Sequence, residues 1–138
     1  MKKIILFAIA LTIPCFVLAD DTRFINALKN CSSYSESGNV NSNGTNATSV
    51  KNISGWQDGK CAYRETVKMG EITADINCNF TKPQLQEITS VMDAYMLTLK
   101  YSGEDVDISS PDAVQKNPVV KVWNKYIQNP NVCKVEAK

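Results

Sequence analysis

The chain has 138 residues, 43% of them hydrophobic, and a formal net charge of +1 at pH 7. It contains no histidine, which excludes every catalytic triad, general base and zinc site that depends on an imidazole. The near-neutral charge also lacks the basic footprint of a nucleic-acid-binding protein, so we expect no nucleic-acid partner.

The first residues predict a secretory signal peptide. Two lysines precede an apolar run, and Val17 and Ala19 occupy the −3 and −1 positions for cleavage before Asp20. A proline interrupts the run, which is shorter than the roughly 20 apolar residues of a membrane-spanning helix. We therefore expect a cleaved leader at 1–19 and a single small domain at 20–138, with no membrane segment after cleavage.

Four cysteines remain in the expected mature chain: Cys31, Cys61, Cys78 and Cys133. An even number of cysteines in an exported chain is typical of disulfides, here two of them. No C-x-x-C pair is present, so a thioredoxin-like redox motif is absent. Thiols scattered this widely fit disulfides better than a four-cysteine zinc site, and we predict neither a metal nor a cofactor.

The segment that follows the leader is predicted to form a short helix ending near Asn30. Phe24, Leu28 and Cys31 share one face at helical spacing, which directs Cys31 toward the core. The next segment, at about 32–49, is rich in Ser, Asn, Thr and Gly, and it has little apolar surface to offset the entropy of ordering. It is therefore predicted to be a flexible polar loop, and the alternative is a hairpin of weak strands that turns through Asn43-Gly44.

Two strands, 49–56 and 60–68, are predicted to form the first hairpin. A three-residue turn from Gln57 to Gly59 would place Lys51 opposite Glu65, whereas a two-residue Asp-Gly turn would shift the pairing by one. The three-residue turn matches sizes and charges better and is our prediction. Glu65 is the one acidic residue on the apolar side of its strand, where it could reach Lys51.

The second hairpin is predicted to turn between Met69 and Gly70, which places Arg64 opposite Asp75 and Cys61 opposite Cys78. The alternation then gives one apolar and one charged face, and a slip by one residue would reverse both. The apolar face is predicted to hold Cys61, Tyr63, Val67, Ile72, Ala74, Ile76 and Cys78.

Helices are predicted to cover the apolar face. Thr81 and Gln84 form a capping box at the start of a long helix, and Gly103 is placed to end it. Ser110 is predicted to cap a short helical turn, and a further helix lies between two Asn-Pro pairs. Its apolar side includes Trp123.

The fold class that follows is α+β and disulfide-stabilised. A short N-terminal helix precedes a three-stranded antiparallel meander, and two or three helices then pack on one face of it. The disulfide pairing stays open. A direct Cys61–Cys78 bridge would leave Cys31–Cys133, and the alternatives are Cys31–Cys78 with Cys61–Cys133, or Cys31–Cys61 with Cys78–Cys133. In all three pairings the sulfurs serve architecture, since bonded sulfurs are poor nucleophiles.

The sequence indicates one candidate interaction surface, in which Trp56 lies together with the polar loop at 32–49. We call Trp56 and Asp58, at the first hairpin turn, the Trp56 edge. Exposed tryptophans are often interface anchors. An acidic run that begins at Glu104 could bind calcium, but it lacks the EF-hand pattern, and a solvated turn is the better interpretation. No nucleophile and base can be assigned, so no catalytic residues are predicted.

These features predict a non-enzymatic binding module, periplasmic or secreted. The lysine-led start and abundant asparagine are typical of an AT-rich bacterial gene, so a bacterial envelope is the expected setting. A protein or an envelope polymer is the expected partner. The alternatives are a carboxylate-dependent hydrolase of envelope polymers and a secreted inhibitor or effector.

Overall fold

The computed structural model describes residues 22–42, 45–104 and 110–138, so the predicted leader at 1–19 lies outside the described residues. The helices are α1 (Thr22–Asn30), α2 (Lys82–Ser102), α3 (Pro111–Lys116) and α4 (Pro118–Ile127). The strands are β1 (Tyr34–Ser42), β2 (Thr45–Gln57), β3 (Lys60–Met69), β4 (Ile72–Phe80) and β5 (Cys133–Ala137).

The strands form one antiparallel sheet in the order β1-β2-β3-β4-β5. The α+β class is therefore confirmed, but the prediction of three strands was wrong, because the sheet has five. The two additional strands lie at its edges, β1 beside β2 and β5 beside β4.

The edge strand β1 lies in the segment that was predicted to be a loop. Its sequence has few residues of high strand propensity, but propensity depends on cross-strand and same-face neighbours. Tyr34 pairs with Ile53 and Glu36 pairs with Lys51, so alternate β1 residues lie on the side of the sheet that faces the helices. Pairing with β2 thus supplies the cross-strand contacts that stabilise β1, although its own residues have low strand propensity.

The β2–β3 hairpin has the loop of one predicted alternative and the strand pairing of the other. Its loop is the two-residue Asp58-Gly59 turn, with φ values of 52° and 77° that suit a type I′ hairpin turn. The three-residue turn was therefore wrong, yet Lys51 does pair with Glu65. A β-bulge before Gly55 inserts one residue and restores that register.

The β3–β4 hairpin turns through Gly70 and Glu71, one residue later than predicted, so the strand pairing is shifted by two residues. Gly70 has φ 59°, which favours glycine at the first loop position of a II′ turn. The predicted Cys61–Cys78 opposition is wrong, because Cys78 pairs with Tyr63. A shift of two residues keeps every side chain on its predicted face.

Local signals define the helix ends as predicted. The Thr81 hydroxyl accepts from the Gln84 N–H, and the Gln84 side chain accepts from the Thr81 N–H. Gly103 ends α2 with φ 68°, and the Ser110 hydroxyl accepts from the Ala113 N–H at the start of α3.

The core lies between the sheet and α1, α2 and α4. Trp123 is fully buried, with its ring 5.3 Å from that of Tyr63 and 5.7 Å from that of Phe80, measured between centroids. Leu85, Ile88 and Met92 bring one face of α2 to the same core. Ile72 was predicted to be buried but is exposed beside the hairpin turn. None of the described helices is both long and apolar enough to cross a membrane.

Candidate functional site

The described residues form two disulfides: Cys31–Cys61 joins the end of α1 to β3, and Cys78–Cys133 joins the neighbouring strands β4 and β5. This is one of the three pairings that the sequence left open. The two-residue shift of the β3–β4 hairpin separates Cys61 from Cys78, while β5 places Cys133 directly opposite Cys78, with the Cα atoms 4.0 Å apart.

The Cys31–Cys61 disulfide fixes the end of α1 against the start of β3. Cys31 follows the last residue of α1 in the left-handed conformation, with φ 48°, and its N–H donates to the Leu28 carbonyl. Gly55 in the β2 bulge lies below it, and a Cβ added there would stand 3.8 Å from the Cys31 carbonyl oxygen. The helix end and the bulge are therefore in close approach.

The Trp56 edge lies directly beside this disulfide. Trp56 pairs across the strands with Cys61, and its side chain is 46% exposed, whereas Trp123 is buried. Asp58 is exposed at the first position of the turn. The sequence thus distinguished the exposed tryptophan from the buried one, because only Trp56 adjoins a turn.

A second group of polar residues is buried on the helix-facing side of the sheet. Lys51 lies between two acids, since it pairs with Glu36 on β1 and with Glu65 on β3. Its Nζ is 3.6 Å from Glu36 Oε1 and 5.2 Å from the centroid of the Phe24 ring in α1. The Tyr34 hydroxyl donates to Glu36 Oε2 at 3.1 Å. This buried polar network ties β1 and β2 beneath α1.

Glu65 completes the network and is only 1% exposed. Its two carboxylate oxygens accept hydrogen bonds from the Ser49 hydroxyl at 2.6 Å and the Tyr63 hydroxyl at 3.0 Å. Burial raises the pKa of Glu65 above its ordinary value, while the Lys51 charge and the two hydroxyl donors oppose that shift. The carboxylate is enclosed by its own partners and is closed to a large ligand.

The opposite side of the sheet, which we call the outer face, is covered by no helix in the described part of the chain. Charged residues lie over β3, β4 and β5, and uncharged polar residues lie mostly over β1 and β2. The charged members are Arg64, Lys68, Asp75, Lys134, Glu136 and Lys138. The uncharged half presents Ser35, Ser37, Asn39, Thr48, Val50 and Asn52.

Asp75 lies at the centre of the outer face, yet it is only 3% exposed because its partners cover it. It accepts a hydrogen bond from the Thr66 hydroxyl at 2.7 Å, and Lys138 Nζ and Arg64 Nη2 lie 2.9 and 3.4 Å from Oδ2. The Thr66 and Lys138 hydrogen bonds lower the pKa of Asp75 despite partial desolvation.

Other predicted features contribute no described site. Within residues 22–42, 45–104 and 110–138, no three His, Cys, Asp or Glu side chains are arranged to hold a metal ion. Of the acidic run, only Glu104 is described, and it is exposed. Glu36 was not predicted to lie beside Lys51, because β1 was not predicted. Glu65 was predicted as an acid on the apolar face of its strand, and that was a usable signal for the buried polar network.

Comparison with known proteins gives no relative from which an activity could be transferred. No family model, no curated protein and no solved structure matches this chain.

Proposed function

We propose that the protein is a small exported binding module of the bacterial envelope or exterior that engages its partner through the Trp56 edge. The observation that carries the proposal is an exposed tryptophan on a strand that pairs, at that residue, with a disulfide-bonded cysteine. Trp56 pairs with Cys61, and the Cys61 disulfide to α1 lies beside the bulge that orients the strand.

Rigidity matters because binding costs conformational entropy. A tryptophan fixed before binding loses less freedom on contact, and tryptophan is among the residues that most often dominate interface energetics. The indole also combines a large apolar area with a polar N–H, which suits a binding interface that is partly hydrated. Asp58, at the adjacent turn, adds a carboxylate acceptor to the same edge.

The buried polar network favours binding over polymer hydrolysis. Glu36 and Glu65 are the two acids that the sheet brings to either side of one residue, Lys51. A glycosidase needs both carboxylates in contact with substrate. Glu65 is buried and accepts two internal hydrogen bonds, so its environment is that of a structural carboxylate.

Export is supported by the predicted leader and by the two disulfides, which persist in oxidising compartments. A periplasmic or secreted location is part of the proposal.

The test is retention on the bacterial envelope fraction. Wild-type protein, Trp56→Ala and Asp58→Asn are immobilised, and Tyr101→Ala serves as the matched control, because Tyr101 is an 82% exposed aromatic on α2. We expect wild type and Tyr101→Ala to retain the same envelope component, protein or polymer, and Trp56→Ala to lose most of it. Equal retention by all variants, or turnover of an envelope polymer by the purified protein, would overturn the proposal.

Intrinsic fluorescence provides an independent readout, because the chain has only two tryptophans. Emission from exposed Trp56 should shift to shorter wavelength when the partner covers it, whereas buried Trp123 should not respond. The shift should disappear in Trp56→Phe.

A further inference from the structure

The outer face carries a regular arrangement of basic side chains that the Trp56 edge does not use. Arg64, Asn77 and Lys134 form one row across β3, β4 and β5. Lys68 and Thr73 begin a second row, which Lys138 completes through two backbone hydrogen bonds with Thr73. We call Arg64, Lys68, Lys134 and Lys138 the basic quartet.

The register fixes the spacing of the Cα atoms of the quartet, while the charged ends of Arg64 and Lys138 converge on Asp75 Oδ2. Its members stand two strands apart within a row, or about 10 Å, and the rows are four residues apart, or about 13 Å. The row between them holds Thr66, Asp75 and Glu136.

The charges of this patch cancel only in part: Arg64 and Lys138 pair with Asp75, and Lys134 Nζ lies 2.9 Å from Glu136 Oε1. Its four basic and two acidic residues give a formal charge of +2, whereas the whole chain carries +1. Asp75 is covered by its partners, while the side chains of Arg64, Lys134 and Lys138 are 56%, 76% and 64% exposed. The acid therefore anchors two cations from below, and the cations face solvent.

The composition of the outer face discriminates between classes of anionic partner. Single-stranded nucleic acids bind through stacking on aromatic residues, and the described residues that point to this face include none. Cores of protein interfaces are depleted in Lys, Asp and Glu. The described residues of the outer face include several of these and only one large hydrophobic residue, Val50, so the face does not resemble such a core. A polymer of hydroxyls and negative charges fits both halves of the face.

We infer that the outer face binds an acidic polysaccharide, a linear chain whose sugars carry carboxylates. The basic quartet would pair with the carboxylates. The Ser, Thr and Asn side chains over β1 and β2 would hydrogen-bond to the hydroxyls. The inference does not rest on the Trp56 edge, because Trp56 pairs with Cys61 and points to the side of the sheet that the helices cover.

The test measures binding of the intact, oxidised protein to alginate, a carboxylated polysaccharide, with neutral dextran and inorganic polyphosphate as comparisons. The variant is Lys68→Gln with Lys134→Gln, which removes opposite corners of the quartet and leaves the partners of Asp75 intact. The matched control is Lys116→Gln with Lys121→Gln, the same charge change at exposed sites on α3 and α4.

We expect alginate binding that weakens as salt is added, a loss of at least about tenfold in the quartet variant, and no loss in the control or in Trp56→Ala. Absence of alginate binding would overturn the inference, and so would equal loss in the control. The inference would also be overturned if polyphosphate bound as tightly as alginate and lost as much affinity in the quartet variant, because charge alone would then account for recognition. Trp56→Ala tests the Trp56 edge and the quartet variant tests the outer face, so either proposal can fail without the other.

Discussion

Glu65 places a carboxylate in the interior, where burial and three partners act on it in opposite directions. Desolvation raises its pKa, while Lys51, Ser49 and Tyr63 favour the charged form. A group whose pKa is raised on folding stabilises the fold most fully below its ordinary pKa, near 4.5, and this stabilisation is lost as pH rises through the folded value.

Replacement of Glu65 by Gln should therefore change how stability depends on pH. The amide keeps the shape of the side chain and one of its two acceptor oxygens, replaces the other with an NH2 donor, and does not titrate. We expect wild type to lose stability relative to Glu65→Gln as pH rises from 4.5 through the raised pKa of the folded state. Urea unfolding across that range measures the difference, and a constant difference would contradict the account of Glu65.

Asp75 should show the opposite sign. Its pKa is lowered by Thr66 and Lys138, so its stabilisation is present above the ordinary value of 3.8 and is lost as pH falls through the folded value. We expect Asp75→Asn to lose about 1–3 kcal/mol at neutral pH, because charged hydrogen bonds are removed and two cations lose their partner. The same urea series should show this loss shrinking in acid. Asp112→Asn, at an exposed position in α3, is the control and should change little.

Helix α2 offers a test at the scale of one element. Its capping box pairs Thr81 with Gln84, and a lost cap of this kind costs about 1 kcal/mol. We expect Thr81→Ala to lower the free energy of unfolding by about that amount. Thr98→Ala, an exposed position within the same helix, should have a much smaller effect, and similar losses in both would contradict the role of the cap.

The elements also differ in how far sequence predicts them. Signals for α2 are local, so Thr81 and Gly103 defined its ends. Strand β5 depends on β4, a partner far back along the chain, whereas β1 pairs with the next strand but its own residues carry weak signals. The β2–β3 hairpin shows a third case, in which the pairing was right and the turn was wrong, because one bulged residue compensates for a shorter loop.

The same distinction governs the candidate sites. Trp56 could be identified because its exposure follows from an adjacent turn. The basic quartet could be seen only in part, since Arg64 and Lys68 lie on a predicted strand whereas Lys134 and Lys138 belong to β5 and the residue after it. The buried position of Lys51 required β1 and α1 to be in place.

At the scale of the whole molecule, the disulfides should supply a large share of the stability. The loops that they close, 31–61 and 78–133, do not overlap, so their contributions should add. In the chain-entropy model each loop contributes about 4 kcal/mol. Their sum, about 8 kcal/mol, lies within the 5–15 kcal/mol total stability of an ordinary domain, so reduction should leave the fold marginal.

The corresponding variant is Cys78→Ser with Cys133→Ser. We expect its free energy of unfolding to fall by about 4 kcal/mol, with Cys31–Cys61 intact, and a reducing agent to lower it by a similar amount again. Denaturant unfolding with and without reductant measures both steps. An unchanged midpoint on reduction of wild type would contradict the structural role of the disulfides.

Peptide mapping of the unreduced protein tests the central claim most directly, because the Trp56 edge and the packing of α1 against the sheet both depend on the disulfides. Trypsin places the four cysteines in separate peptides, 30–51, 61–64, 69–100 and 126–134. The account predicts that 30–51 is linked to 61–64 and 69–100 to 126–134, with no thiol open to alkylation and an N-terminus at Asp20. A link between 61–64 and 69–100, an alkylated cysteine, or a retained leader would contradict it.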